Sequence, residues 1–140
     1  MGITFDTETI RLVTVFENVT KATIKDCFVN DSNDIVFFIV DEGKIGLAIG
    51  KDGKSVRHVE KLIKKHIKVF EFSKDLAKFA RNVIPYVNNL NVRNNGNEII
   101  VEVIVDKKNK AMVIGRDGRN LELYRKLLKR THGISDVVVR

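Results

Sequence analysis

The sequence predicts an α+β protein built as two tandem units, each with the element order α-β-β-α-α-β. Two observations predict it. A ten-residue stretch occurs twice, GLAIGKDGKS at 46–55 and AMVIGRDGRN at 111–120. The 65-residue offset between the copies holds without a gap through Ile35/Ile100, Val36/Val101, Ile39/Ile104, Asp41/Asp106, Gly50/Gly115, Asp52/Asp117, Gly53/Gly118, Lys61/Lys126 and Lys64/Lys129. An ungapped match through strand, turn and helix marks a duplicated structural unit. The second observation is size: a unit of about 65–70 residues buries only roughly 60% of its extended surface and is marginal alone. The expected units are therefore 1–73 and 74–140, packed rigidly on each other.

In the first unit, Asp6 or Thr7 is expected to cap a helix whose apolar stripe is Ile10, Val13, Phe16 and Val19. Residues 23–29 read as a strand, rich in β-branched and aromatic side chains. Residues 30–34 carry turn chemistry. Residues 35–40 are an unbroken apolar run, short enough for a strand buried on both faces. A short helix over 42–49 stops at Gly50. A second begins near Gly53 and runs to about His66, with Val56, Val59, Leu62 and Ile63 inward. Lys54, Arg57, Lys61 and Lys64 fall on another face at steps of three and four. Residues 67–72 close the unit as a strand.

The second unit follows almost at once. Ser73 is the expected cap of a helix with Leu76, Phe79, Ala80 and Val83 on one side, ending before Pro85. Residues 90–93 form a strand, Asn95-Gly96 a two-residue hairpin turn, and 98–105 the partner strand. Residues 107–114 form the short helix and 118–130 the long one, with Leu121, Tyr124, Leu127 and Leu128 inward. Gly133 stops it, and 134–139 is the last strand. No Gly-, Ser- or Pro-rich linker separates the units, so a nearly fixed orientation is expected.

Charge is concentrated around the repeated stretch. The net charge is +7, yet residues 1–72 balance 11 basic against 11 acidic side chains, while 73–140 carry 14 against 7. Residues 44–68 hold eight Lys/Arg against two acids, and 107–130 hold nine against two. Positive charge gathered at both glycine turns points to a polyanionic partner rather than to a merely solvated lysine face. No apolar run approaches the roughly 20 residues that span a bilayer, so no membrane is expected. Residues 1–8 lack the basic start and apolar core of a signal peptide, and Gly2 with Asp6 fails the myristoylation pattern. One cysteine, Cys27, excludes an internal disulfide, so a cytoplasmic protein is expected.

The repeated turn has a definite chemistry. A glycine at each end of a two-residue turn permits backbone geometry closed to other residues and lets a ligand approach the main chain. The turn ends at a helix amino terminus, where free N–H groups and the macrodipole favour an anion. Lys51, Lys54, Arg116 and Arg119 add mobile positive charge, a combination that suits phosphate. A nucleotide-hydrolase P-loop needs G-x4-G-K-[ST]. Gly53-Lys54-Ser55 supplies its end, but Ala48 stands where the first glycine belongs, and the second copy has Arg119-Asn120.

IGKDGKSV (49–56) and IGRDGRNL (114–121) resemble the KH-domain signature I-G-x-x-G-x-x-hydrophobic. The element order resembles the type II KH arrangement, and the fused pair resembles the tandem KH pair of NusA-like transcription factors, specifically their short archaeal form. The resemblance covers nearly the whole chain. It implies two tandem type II KH domains, each a three-stranded sheet covered by helices, and single-stranded RNA as partner, with about four nucleotides clamped per unit. By position, Gly50, Lys51, Asp52 and Gly53 would form one clamp and Gly115, Arg116, Asp117 and Gly118 the other. Ile49 and Ile114 would lie at the groove floor or in the core. Lys54, Arg57, Arg119, Lys44 and Lys110 would meet phosphates. Asp52 and Asp117 depart from a lysine-only clamp; they are expected to cap the following helices and to weaken binding. Bacterial relatives carry polymerase-binding and S1 domains with no counterpart in these 140 residues, so RNA polymerase is an expected partner by family only.

The remaining residues read as structural. His58, His66 and His132 lack cysteine or carboxylate at metal-ligand spacing, so no metal or other cofactor is expected. Cys27 and the eight phenylalanines are assigned to the core. No nucleophile–base pair clusters, so the chain is not expected to be an enzyme, and a monomer is expected. The competing readings are a helix-turn-helix DNA binder and a ribosome-associated KH protein.

Overall fold

The apolar run at 35–40 forms the central strand of a three-stranded sheet. The computed structural model describes residues 6–30 and 35–140. Residues 31–34, where turn chemistry is expected, and Phe5 lie outside the described residues. Contacts divide the chain between Ser73 and Lys74 into two compact units.

Unit 1 runs α1 (Thr7–Thr20), β1 (Ile24–Asn30), β2 (Ile35–Val40), α2 (Ile45–Ile49), a 3-10 turn (Lys51–Gly53), α3 (Lys54–Ile63) and β3 (His66–Glu71). β2 pairs antiparallel with β1 and parallel with β3. A parallel neighbour requires a crossover, and the crossover is the α2–turn–α3 segment. The glycine turn therefore sits where a chain leaving β2 must reverse before returning to β3. Val36, Phe38 and Val40 pack with Leu12 and Phe16 of α1 and Val59 and Ile63 of α3. The Phe16 and Phe38 rings stack at 4.1 Å. Phe37 and Ile39, on the other face, are buried as well, so β2 is buried on both sides as expected.

Several expectations for this unit are corrected. Asp6 does cap α1, its Oδ1 accepting from the Thr9 N–H at 2.8 Å, but the buried stripe is Thr9, Leu12, Phe16 and Thr20, and Ile10 is exposed. Nine residues are two and a half helical turns, which places Ile10 and Val19 on opposite faces. α2 starts at Ile45 rather than 42, because Gly43 at φ +80° breaks the helix path. α3 ends at Ile63, with Lys64 in the left-handed conformation, and Leu62 is 52% exposed. Its inward seam is Val59 and Ile63 alone, with Val56 half-buried.

Unit 2 repeats the order with α4 (Leu76–Val83), β4 (Val87–Asn95), β5 (Glu98–Val105), α5 (Lys107–Ile114), a 3-10 turn (Arg116–Gly118), α6 (Arg119–His132) and β6 (Asp136–Val139). β5 is central, antiparallel to β4 and parallel to β6. The cap of α4 is Asp75, whose Oδ1 accepts from the Ala77 and Lys78 N–H groups, while Ser73 is buried instead. The hairpin turn is Gly96-Asn97 between paired Asn95 and Glu98, one residue later than expected; Gly96 takes the φ of +76° that the turn needs. Phe79, Tyr124, Leu127, Leu128 and Val137 are buried, and Gly133 ends α6 at φ +64°.

At one central position the units differ in polarity. Where β2 has Phe37, ringed by Phe28 and Phe70, β5 has Glu102, which accepts from Arg140 Nε at 2.8 Å and meets Arg93 Nη2 at 2.9 Å. The Arg140 hydrogen bond, then the charge of Arg93, hold the Glu102 carboxyl below its usual range against the opposing effect of burial. Cys27 is buried in β1. Phe16, Phe28, Phe37, Phe38 and Phe79 are buried, and Phe70 and Phe72 half-buried.

Candidate nucleic-acid interface

The two glycine turns have the same backbone. Gly50 and Gly115 lie at φ/ψ 76°/175° and 80°/168°, Asp52 and Asp117 at 55°/28° and 57°/27°, and Gly53 and Gly118 at 74°/14° and 72°/17°. Each first glycine ends the preceding helix, its N–H donating to Gly46 O or Ala111 O at 2.9 Å. The second glycine closes the turn, donating to Gly50 O at 3.2 Å or Gly115 O at 3.1 Å. A side chain is excluded at the first position twice over. Its φ is positive, and an added Cβ would lie 2.3 Å from Ser55 Oγ at Gly50 and 2.7 Å from Asn120 Cγ at Gly115. At Gly118 nothing stands within 4 Å, so only the left-handed φ demands glycine there.

The aspartates do something other than cap. Neither Asp52 nor Asp117 makes a capping hydrogen bond; the N-cap positions belong to Gly53 and Gly118. Each aspartate instead occupies the left-handed region, which Asp and Asn tolerate better than other non-glycine residues. The turn thus places two consecutive left-handed residues before each helix, and aspartate is the non-glycine member of the pair.

Around the turns the side chains are open to solvent. Lys51, Asp52, Lys54 and Arg57 are exposed, as are Arg116, Asp117, Arg119 and Lys110, while Lys44 is half-buried. Ile49 is 41% exposed and Ile114 half-buried, so Ile49 does not belong to the core. Beside them Leu47 and Met112 are also exposed, at matching repeat positions. Sequence reading passed over both, although two apolar residues one turn before a repeated glycine were a visible signal. Each turn therefore joins an apolar edge to a basic rim. Lys44 and Lys110 are not equivalent: Lys44 precedes α2, whereas Lys110 stands within α5. Arg57 leans back over its turn, with Nη1 3.0 Å from where a Gly53 Cβ would be.

Among the described residues, no group of three or more His, Cys, Asp or Glu side chains is placed to hold a metal, and no helix is long and apolar enough to cross a membrane. His58 and His66 are exposed, and His132 lies against the Phe79 ring at 5.1 Å.

A KH-domain family model matches residues 13–97. A Methanocaldococcus jannaschii protein described as "Probable transcription termination protein NusA" is 35% identical over 95% of this chain and 73% of its own length. A Thermoplasma acidophilum protein of the same description is 31% identical over 99% of this chain and 96% of its own. Among solved structures, one described as the crystal structure of APE1850 matches with a TM-score of 0.82 and 32% identity, covering 97% of this chain and all of that one. The chain belongs to the KH-domain family, among the archaeal NusA-like proteins.

Proposed function

We propose that the protein is a non-enzymatic, single-stranded RNA-binding protein of transcription termination or elongation, made of two tandem type II KH domains at 1–73 and 74–140. Each glycine turn clamps the RNA backbone, and the apolar residue before it, the exposed Ile49 or the half-buried Ile114, floors the groove for the bases. Lys51, Lys54 and Arg57 in one unit, and Arg116, Arg119 and Lys110 in the other, neutralise phosphates. The observation that carries this reading is the recurrence of one glycine-turn backbone in both units, beside exposed cations. The names of the relatives support the transcriptional setting.

Two linked modules of about four nucleotides each gain affinity from linkage. A helix-turn-helix reading gains no support, because each helix pair is a crossover between parallel strands and the turn carries glycine where a DNA reader needs base-contacting side chains. The test is a titration of single-stranded RNA and matched duplex DNA at two salt concentrations, with the Lys51→Asp/Arg116→Asp double variant. RNA should bind more tightly, and the double variant should lose about 1–3 kcal/mol per site. Equal or tighter duplex binding, or an unchanged double variant, contradicts the reading.

A further inference from the structure

The exposed face of α3 continues beyond the turn to a surface pocket of about 350 Å³ lined by Arg57, Glu60, Lys61, Lys64, Lys65 and His66. We propose that this pocket is a second phosphate site, peculiar to unit 1, which takes a backbone phosphate of the RNA leaving the first clamp. The proposal rests on the RNA-binding reading above.

Lysines at a helix carboxyl end offset the macrodipole, and by themselves mark no site. The repeat separates the two explanations. Lys61 and Lys64 have counterparts in Lys126 and Lys129, so positive charge at those two positions is common to both units. Lys65 likewise corresponds to Arg130, but two other pocket positions reverse their charge. Arg57 corresponds to Glu122 and Glu60 to Arg125. His66 pairs with Ile35 in the sheet as Asp136 pairs with Ile100, so His66 and Asp136 occupy equivalent places.

In unit 2 these residues lock together. Arg125 Nε donates to Asp136 Oδ1 at 2.6 Å, and its Nη1 to Glu122 Oε1 at 2.8 Å. The cation is thereby spent on two protein carboxylates. In unit 1 the single carboxylate, Glu60, accepts from the Ile67 N–H at 2.9 Å and lies 3.9 Å from His66 Nδ1. Arg57, across the pocket, reaches back to the glycine turn. It links clamp and pocket along a helix about 15 Å long. An anion therefore meets one carboxylate among four basic side chains in unit 1, and two carboxylates among four at the matching positions of unit 2.

The test compares matched lysine pairs in the full chain. Lys61→Gln/Lys64→Gln should weaken binding of a twelve-nucleotide single-stranded RNA about tenfold and lower the salt slope by about 0.7, the value for one lost phosphate contact. Lys126→Gln/Lys129→Gln, with the same change in charge, should weaken it less than about twofold. Thermal melts check that both variants fold. Equal losses from the two pairs would mean general electrostatics and overturn the pocket. Inorganic tripolyphosphate supplies the second arm: amide shifts at 64–66 with tripolyphosphate but not with RNA would also overturn it. Full affinity in Lys51→Asp/Arg116→Asp sinks the clamp reading instead, so the two failures are distinguishable.

Discussion

Gly50 lies so close to Ser55 that a methyl group on it would come within 2.3 Å of the Ser55 hydroxyl, and Gly115 stands in the same relation to Asn120. The turn is thus closed by a side chain in the first turn of the next helix. In unit 2 that side chain also donates, from Asn120 Nδ2, to Met112 O at 3.2 Å.

Gly50→Ala and Gly115→Ala should each cost on the order of 1–3 kcal/mol, because the new Cβ meets both a left-handed φ and a packed neighbour. Gly46→Ala is the contrast. Gly46 is helical with open space around it, so alanine should stabilise by about 0.5–1 kcal/mol. Urea denaturation of the three variants reads the difference; a loss at Gly46 equal to that at Gly50 would remove the turn's special status.

Asp52→Asn and Asp117→Asn keep a residue that tolerates the left-handed region while removing a negative charge from the clamp. Stability should change by less than about 0.5 kcal/mol. RNA affinity should rise about fivefold per site, the ~1 kcal/mol that unit charges a few ångströms apart exchange in water. Asp52→Val instead puts a β-branched residue at φ +55° and should cost on the order of 1–3 kcal/mol. Affinities and melts of the three variants test whether the aspartate serves backbone shape at the expense of binding.

Glu102 gives a pH signature to unit 2. Its folded carboxyl titrates below the ordinary value of 4.5, chiefly through Arg140. A depressed carboxylate contributes stability that is present above its unfolded pKa and is lost as pH falls through the folded one. The melting difference between the parent protein and Glu102→Gln should therefore be largest near neutral pH and shrink below about pH 4.5. A difference that grows on acidification would contradict the ion-pair assignment.

The element order was legible because each signal was local. An unbroken apolar run gave β2, the Gly-bounded patterns gave the helices, and the 65-residue repeat checked one unit against the other. Helix faces were less legible. Steps of three drift around a 3.6-residue helix, so Ile10 and Leu62 read as core and prove exposed. The role of Asp52 was hidden because capping and left-handed tolerance favour the same residue type. The pocket could not be read at all. α6 has 14 residues against 10 in α3, and only sheet register shows that His66 and Asp136 are counterparts.

The most direct measurement is the backbone amide spectrum during titration with a short single-stranded RNA. The account predicts two clusters of shifted amides, one at 49–57 and one at 114–120, saturating together with the binding curve. Shifts confined to strands or to one unit, with either glycine turn unmoved at saturation, would contradict a pair of backbone clamps.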